Sequence, residues 1–130
     1  VGKGHPLQDV AYALTTSLDA ELLDEMDYFV DSYTCCLEMA LANKKNMDID
    51  IKEMRLEYDL IWLDYVRVIV TGLWKNLDPE RMKRYQNTVG PSMINRSFDH
   101  VKFITKRAHH LLFENRDIAD KLRLIEIEMD

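Results

Sequence analysis

Residues that interrupt helices are scarce in this sequence. Of its 130 residues, four are glycine and three are proline. Apolar side chains recur at helical spacing over most of the length, and no strand-like alternation of apolar and polar residues persists. These features predict an all-α fold of five or six helices joined by short turns. A repeat of roughly 20 to 50 residues is also absent, so a solenoid is not indicated.

Cysteine is nearly absent as well. The two cysteines, Cys35 and Cys36, are adjacent. Neighbouring side chains on a helix point about 100° apart, so this pair neither joins distant segments nor has a metal-binding spacing. We therefore expect no disulfide framework and favour a reducing, intracellular compartment.

No apolar run is long enough for a membrane span. The most apolar stretch, residues 60–74, is shorter than the roughly 20 residues that a membrane helix needs. Asp64 and Arg67 also interrupt it. We expect a buried helix here and no membrane span.

Basic residues are outnumbered by acidic ones. The sequence has 17 Lys and Arg against 23 Asp and Glu, a net charge of −6. This balance provides no positive field for phosphate backbones, so nucleic acid is not an expected partner. Hydrophobic residues make up 47% of the chain, which is enough for a core. We predict one helical domain over 1–130, divided into 1–18 (a turn and the first helix), 19–116 (a helical subdomain) and 117–130 (a C-terminal helix or tail).

Cap and breaker residues predict the boundaries of the first helices. Pro6 suits the first position of a helix that ends near Ser17. Asp19 is a suitable N-cap for a second helix that runs to about Asn43, with its acidic residues, Asp27 and Asp31 among them, facing water.

Similar signals place the remaining helices. Asp48 or Asp50 caps a third helix. Apolar residues recur along this helix up to Leu73, so we predict that it forms the centre of the fold. The sequence 78–80, Asp-Pro-Glu, begins a short fourth helix that ends near Thr88, before Gly90-Pro91. Ser92 or Asn95 opens the fifth, and the last segment, from Asp117, is either helix or extended tail.

Most candidate catalytic or ligand-binding groups have a simpler interpretation. Residues 2–4, Gly-Lys-Gly, resemble part of a phosphate-binding loop but lack the further glycines and the preceding strand, which favours a plain turn. The sequence has no HExxH motif. His110 and Glu114, four residues apart, predict a polar surface contact and no metal site. The charged pair Lys106-Arg107 and the nearby His109 are expected to lie on a solvated helix face.

Helix three presents the strongest candidate cleft. Tyr58, Trp62 and Tyr65 recur at helical spacing with Asp59 nearby. Ring faces and carboxylates together bind cations, so Asp59, Trp62 and Tyr65 are candidate substrate-cleft residues. Packing of these rings in the core is the alternative, and the spacing favours it.

The first 18 residues, VGKGHPLQDVAYALTTSL, carry a resemblance to a known family. They are similar to the stretch that follows the metal-binding aspartate in aminoglycoside phosphotransferases and their choline kinase-like and ecdysteroid kinase-like relatives. In that family a strand ends in Asp-Trp or Asp-Phe, a glycine turn follows, and a helix opens with an Asp-Leu-Ala pattern. Residues 9–12, Asp-Val-Ala-Tyr, match that pattern. The resemblance extends over residues 2–40, and the later residues are only compatible with the family's helical lobe. It implies the C-terminal helical lobe of a protein kinase-like fold.

The resemblance implies a role for Asp9 and a set of residues that this sequence lacks. Asp9 would anchor the catalytic loop, and an ordinary acidic residue in the first turn of a helix is the alternative. A complete family member would use ATP and magnesium, held by a nucleotide-binding lobe, a His-Gly-Asp loop and a metal-binding aspartate. None of these motifs is in the sequence, so no catalytic or metal-binding residue is assigned and the chain alone is predicted to be inactive.

Three functions remain open. In the first, the chain is part of a small-molecule kinase and forms the substrate-side wall of the cleft beside a missing N-terminal lobe. Alternatively, it is a non-catalytic helical scaffold subunit of a larger assembly, or an unrelated helical bundle. The sequence begins at Val1 without a leader pattern, and a native start, a processing site and a cut within a longer chain are all compatible with it.

Overall fold

The computed structural model describes residues 5–42, 50–86 and 98–129. Within these ranges the chain forms helices and no strands, which confirms the predicted all-α class. A 3-10 helix (Ala20–Glu25) precedes α2, and a π-helical turn (Ile69–Leu73) continues α3. The six α-helices of the described ranges are α1 (Pro6–Ser17), α2 (Met26–Ala42), α3 (Ile51–Val68), α4 (Pro79–Gln86), α5 (Phe98–Phe113) and α6 (Arg116–Met129).

The first helix begins and ends where the sequence predicts. Pro6 occupies its first position, and His5 is the N-cap, whose ring Nδ1 accepts a hydrogen bond from the backbone N–H of Leu7 at 3.1 Å. Leu18 is extended and ends the helix after Ser17. Leu7 is fully buried, which fixes α1 on the core.

The entry into α2 differs from the predicted α-helix. Asp19 precedes a 3-10 helix, and its carboxylate makes no capping hydrogen bond. Side chains three residues apart lie above one another in a 3-10 helix, and here Leu23 and Met26 are both buried. Leu22, which α-helical spacing places inward, is exposed instead. The predicted end at Asn43 lies outside the described residues.

The third helix is the centre of the fold, as predicted. Asp50 caps it, with Oδ1 accepting from the backbone N–H groups of Lys52 (3.0 Å) and Glu53 (3.3 Å); the alternative cap, Asp48, is outside the described residues. Helix α3 contacts α1, α2, α5 and α6. It therefore supports every helix from which the core is built.

A π-helical turn changes which residues are buried after α3. The backbone N–H of Trp74 donates to the carbonyl of Ile69 at 2.9 Å, which closes a wider turn than an α-helix has. Ile69 is fully buried, but Val70 and Leu73, which α-helical spacing would place inward, are exposed. The wider turn rotates them away from the core.

The later helices agree in type with the prediction. Helix α4 follows Asp78 as expected. The predicted helix end at Thr88, the break at 90–91 and the starts at Ser92 or Asn95 lie outside the described residues, as does the predicted turn at 2–4. The last segment is a helix and not an extended tail, and Asn115 Oδ1 accepts from the N–H of Ile118 at 3.1 Å at its start.

One cluster of buried side chains joins five of the six helices. The cluster consists of Leu7, Ala11, Met26, Val30, Tyr58, Trp62, Val66, Ile69, Ile104, Leu111 and Ile118. The candidate functional site lies where the parts of this cluster from α2, α3 and α5 meet.

No helix of the described ranges is long and apolar enough to cross a membrane.

Candidate functional site

A largely buried arginine joins α5 to α2 and α3. Arg107 donates from Nη1 to the carboxylate of Asp27 and from Nη2 to that of Asp59, both at 2.9 Å. Its side chain is 13% exposed and that of Asp59 is 10% exposed. The predicted solvated position of Arg107 is therefore wrong. Arg107 lies three residues after Ile104 and four before Leu111, both buried, and this spacing is the signal that could have placed it inward.

A second arginine extends the network along α2. Arg55 pairs with the carboxylate of Asp27 and donates from Nη1 to Asp31 Oδ1 at 2.6 Å. It also donates to the backbone carbonyl of Asp27 at 3.2 Å. The two aspartates are more than half exposed, as predicted, but their carboxylates bind arginines of α3 and α5.

Two of the three predicted cleft residues come together, and they already hold a cation. Cζ of Arg107 lies 5.2 Å from the ring centroid of Trp62, in a cation–π contact. Asp59 binds the same guanidinium. Tyr65 lies apart from them, in an edge-to-face contact with Tyr12 of α1 at 5.4 Å between centroids. Trp62 is fully buried, so its ring packs in the core.

The interior around this network is poorly solvated. Burial raises the pKa of Asp59 above its ordinary value, although Arg107 and Arg55 oppose the shift. Burial likewise raises the pKa of Tyr58. The Tyr58 hydroxyl, Trp62 Nε1 and Arg107 Nε are buried without a hydrogen-bond partner in the described part of the chain. The network is thus held mainly by its four arginine–aspartate ion pairs.

A groove between α3 and α6 adjoins the network. It consists of two cavities of about 480 and 320 Å³ that share Lys52, Leu56 and Asp117. We call it the α3–α6 groove, and six of its lining side chains are acidic whereas three are basic. The remaining lining residues are Asp31, Ile51, Arg55, Asp59 and Asn115 in the larger cavity and Asp50, Glu53, Asp120, Lys121 and Leu124 in the smaller.

The acidic residues of the groove differ in whether they form ion pairs. Glu53 pairs with Lys121 at 3.1 Å across the groove. Asp117 and Asp120, by contrast, form no ion pair with any residue that the structure describes. The α6 side of the groove therefore offers two carboxylates to an amine or another cationic group.

Asp9 is exposed in the first turn of α1. Its carboxylate makes no hydrogen bond or ion pair within the described ranges. Its anchoring role, which the family resemblance implies, and its alternative as a helix-terminal acid both stay predictions. The neighbouring His5 donates from Nε2 to Glu57 at 2.6 Å, a contact between residues too distant in sequence for any local pattern to predict.

The other histidines make structural contacts. His100 is buried, and its Nε2 donates to the carbonyl of Leu18 at 2.7 Å, which ties the start of α5 to the end of α1. The predicted surface contact of His110 with Glu114 is confirmed at 2.8 Å. This hydrogen bond lowers the pKa of Glu114. Among the described residues, no group of three or more His, Cys, Asp or Glu could hold a metal ion.

Comparison with known proteins gives no family assignment. The chain matches no protein-family model, no curated protein and no solved structure. The proposals below therefore depend on the residues and their geometry, together with the resemblance of the first 18 residues.

Proposed function

We propose that this chain is the C-terminal helical part of a small-molecule phosphotransferase and forms the substrate-side wall of its cleft. The observation that carries the proposal is the position of Asp9. In the family that the first 18 residues resemble, the matching aspartate anchors the catalytic loop. Here Asp9 is exposed in the first turn of a helix that Leu7 fixes on the core, so its carboxylate is accessible to a segment outside this sequence.

The α3–α6 groove supports a substrate-side role. Its larger cavity, about 480 Å³, has the size of a small-molecule site. His5, directly before α1, contacts Glu57, which belongs to the same half of α3 that lines the groove. The start of α1 and the groove thus lie at one end of α3. ATP and magnesium would be held by the catalytic motifs of a complete family member, which this sequence does not contain.

The test begins with the native protein from which this sequence derives. Intact mass and N-terminal sequencing should reveal an upstream extension that contains the nucleotide-binding lobe and the His-Gly-Asp loop. That longer protein should transfer phosphate from ATP to a small molecule, whereas the purified 130-residue chain should not. A mature protein that begins at Val1, or ATP-dependent transfer by the 130-residue chain alone, would contradict the proposal.

Asp9 gives the residue-level test in the longer protein. Asp9→Ala should lower the phosphotransfer rate about 10- to 100-fold, as loss of a positioning contact does. Asp24→Ala is the matched control, because Asp24 is also an exposed acid near a helix start. Equal rates and equal melting temperatures for the two variants would remove the anchoring role.

A non-catalytic scaffold is the second candidate, and exposed apolar side chains favour it. Met39, Phe113 and Ile127 are each more than two-thirds exposed. A scaffold subunit would cover such side chains with a partner protein. A native protein that begins at Val1 and co-purifies with a stable partner would support this function over the first.

A further inference from the structure

Three sulfur-containing side chains lie on the outward side of α2. Cys35 and Cys36 are exposed, and Met39 is 73% exposed. Val30 and Thr34, on the opposite side of the helix, are buried. Successive residues of an α-helix are about 100° apart, so Met39 lies between the two cysteines around the helix axis, about 40° from Cys35 and about 60° from Cys36.

The spacing of these residues along the helix is typical of metal ligands. Met39 follows Cys35 by four residues and Cys36 by three. Side chains at these two spacings are neighbours on a helix surface, with Cβ atoms about 5 to 6 Å apart. The metal-binding pairs of Glu-x-x-His and HExxH helices use the same spacings. The two cysteines alone have no such spacing, but each of them has it to Met39.

The direction of helical side chains brings the sulfur of Met39 toward the two thiols. Each Cα–Cβ bond tilts toward the N-terminus of its helix, so a long side chain covers the turn before its own residue. The turn before Met39 is the one that contains Cys35 and Cys36. One ion can therefore contact all three sulfur atoms after rotation of side chains alone.

The two thiols are available to such an ion. The Cα atoms of neighbouring residues are about 3.8 Å apart, closer than the roughly 4.4 Å or more that is usual across a disulfide. A bond between Cys35 and Cys36 would therefore distort α2. Neither thiol forms a hydrogen bond with a residue that the structure describes.

We propose that Cys35, Cys36 and Met39 bind one Cu⁺ ion. Thiolate and thioether sulfurs are soft ligands, which favour Cu⁺. Zn²⁺ also binds thiolates, but its structural sites take four ligands from Cys, His, Asp and Glu. Among the described residues, no third side chain of these types completes a metal site with the two cysteines. The third ligand is a thioether instead, and this selects Cu⁺.

Binding exchanges protons for copper. Each thiol loses its proton to solvent as its sulfur bonds to the ion, and copper enters and remains as Cu⁺, so no oxidant or reductant takes part. The apparent affinity should therefore rise with pH. The inference depends on α2 alone and holds whether or not the chain belongs to a phosphotransferase.

Competition with the chromophoric Cu⁺ chelator bicinchoninate, without oxygen and with ascorbate present, tests the proposal on the 130-residue chain. The wild-type chain should bind one equivalent of Cu⁺. Cys35→Ser and Cys36→Ser should each lower the affinity about 100-fold or more, and Met39→Leu about tenfold. Met54→Leu is the matched control, because it makes the same replacement on α3. It should bind Cu⁺ like wild type.

X-ray absorption at the copper edge separates a ligand from a residue that only supports the helix. Copper should have three sulfur neighbours in wild type and Met54→Leu but two in Met39→Leu. The chain should bind Zn²⁺ more weakly than Cu⁺, and Met39→Leu should leave the Zn²⁺ affinity unchanged. Circular dichroism should show the same helix content for all variants.

Four results would overturn the proposal. The first is a wild-type affinity for Cu⁺ no higher than that of the double variant Cys35→Ser with Cys36→Ser. The second is a Met39→Leu variant with unchanged affinity and sulfur number. The others are copper bound by nitrogen or oxygen in place of these sulfurs, and one copper ion held between two chains, which would draw its ligands from two helices.

Discussion

The guanidinium of Arg107 lies over the indole ring of Trp62, with Cζ 5.2 Å from the ring centroid. Trp62 is fully buried, and Arg107 also donates to Asp59 at 2.9 Å. Helices α3 and α5 are thus joined by a charged contact beside the apolar core. Since a buried charge is costly without its partner, this contact should be sensitive to single substitutions.

Asp59→Ala is expected to lower the free energy of unfolding by about 2 to 4 kcal/mol, because it leaves the buried Arg107 without the less exposed of its two carboxylate partners. Asp27→Ala removes the other partner, but Asp27 is 57% exposed. Its loss should cost about 1 kcal/mol or less. Urea unfolding of both variants at neutral pH measures the difference, and equal losses would show that burial does not decide the effect.

Replacing both charges should be milder than removing one. Arg107→Met alone leaves the buried carboxylate of Asp59 without its guanidinium, and about 3 kcal/mol or more of stability should be lost. Asp59→Leu combined with Arg107→Met removes both charges and keeps apolar volume in the core. The double variant should therefore be more stable than the Arg107→Met variant.

A double-mutant cycle that adds the Asp59→Leu single variant to these unfolding measurements gives the coupling between the two residues. We expect a coupling on the order of 1 to 3 kcal/mol, since they are in direct contact. Additive effects would mean that Arg107 is stabilised by Trp62 and Asp27, with little contribution from Asp59.

The pKa of Asp59 predicts a pH dependence with a definite sign. Burial raises this pKa above the ordinary 3.8, so the folded chain binds the proton more tightly than the unfolded chain. The stability from this group is present below the unfolded pKa and is lost as the pH rises through the folded pKa. Asp59→Asn removes the titration while its side-chain oxygen still accepts from Arg107.

The measurement is the unfolding free energy of wild type minus that of Asp59→Asn. This difference should fall as the pH rises from about 3.5, and it should level off above the raised pKa. A difference that rises over the same range would mean that the attraction of Arg107 and Arg55 outweighs the cost of burial, with the pKa lowered instead.

Local signals in the sequence predict much of the helical fold. Pro6 and Asp50 mark helix starts through backbone geometry and hydrogen bonding within one turn, and both predictions are confirmed. The 3-10 helix before α2 and the π-turn after α3 have no such signal. Each is stabilised by the burial of residues such as Leu23 and Ile69 against distant helices, so α-helical spacing mispredicts the exposure of their neighbours.

The site is less predictable from sequence than the helices. Spacing alone brings Asp59 and Trp62 to the same part of α3, where the guanidinium of Arg107 contacts both. The substrate cleft for a cationic ligand stays a prediction. The observed contact depends on Arg107, which lies 48 residues further along the chain than Asp59. Its charge suggests a solvated position, and only the stripe from Ile104 to Leu111 indicates otherwise.

Two substitutions in α6 should separate its contribution to the fold from its exposed surface. Ile118→Ala removes a fully buried side chain and should lower the free energy of unfolding by about 2 to 4 kcal/mol. Leu124→Ala, in the next two turns, removes a side chain that is 55% exposed. It should change stability by about 0.5 kcal/mol or less.

Thermal or urea unfolding of both variants measures the two losses. If Leu124→Ala costs as much as Ile118→Ala, the Leu124 side chain packs against this chain's own fold more closely than its exposure indicates.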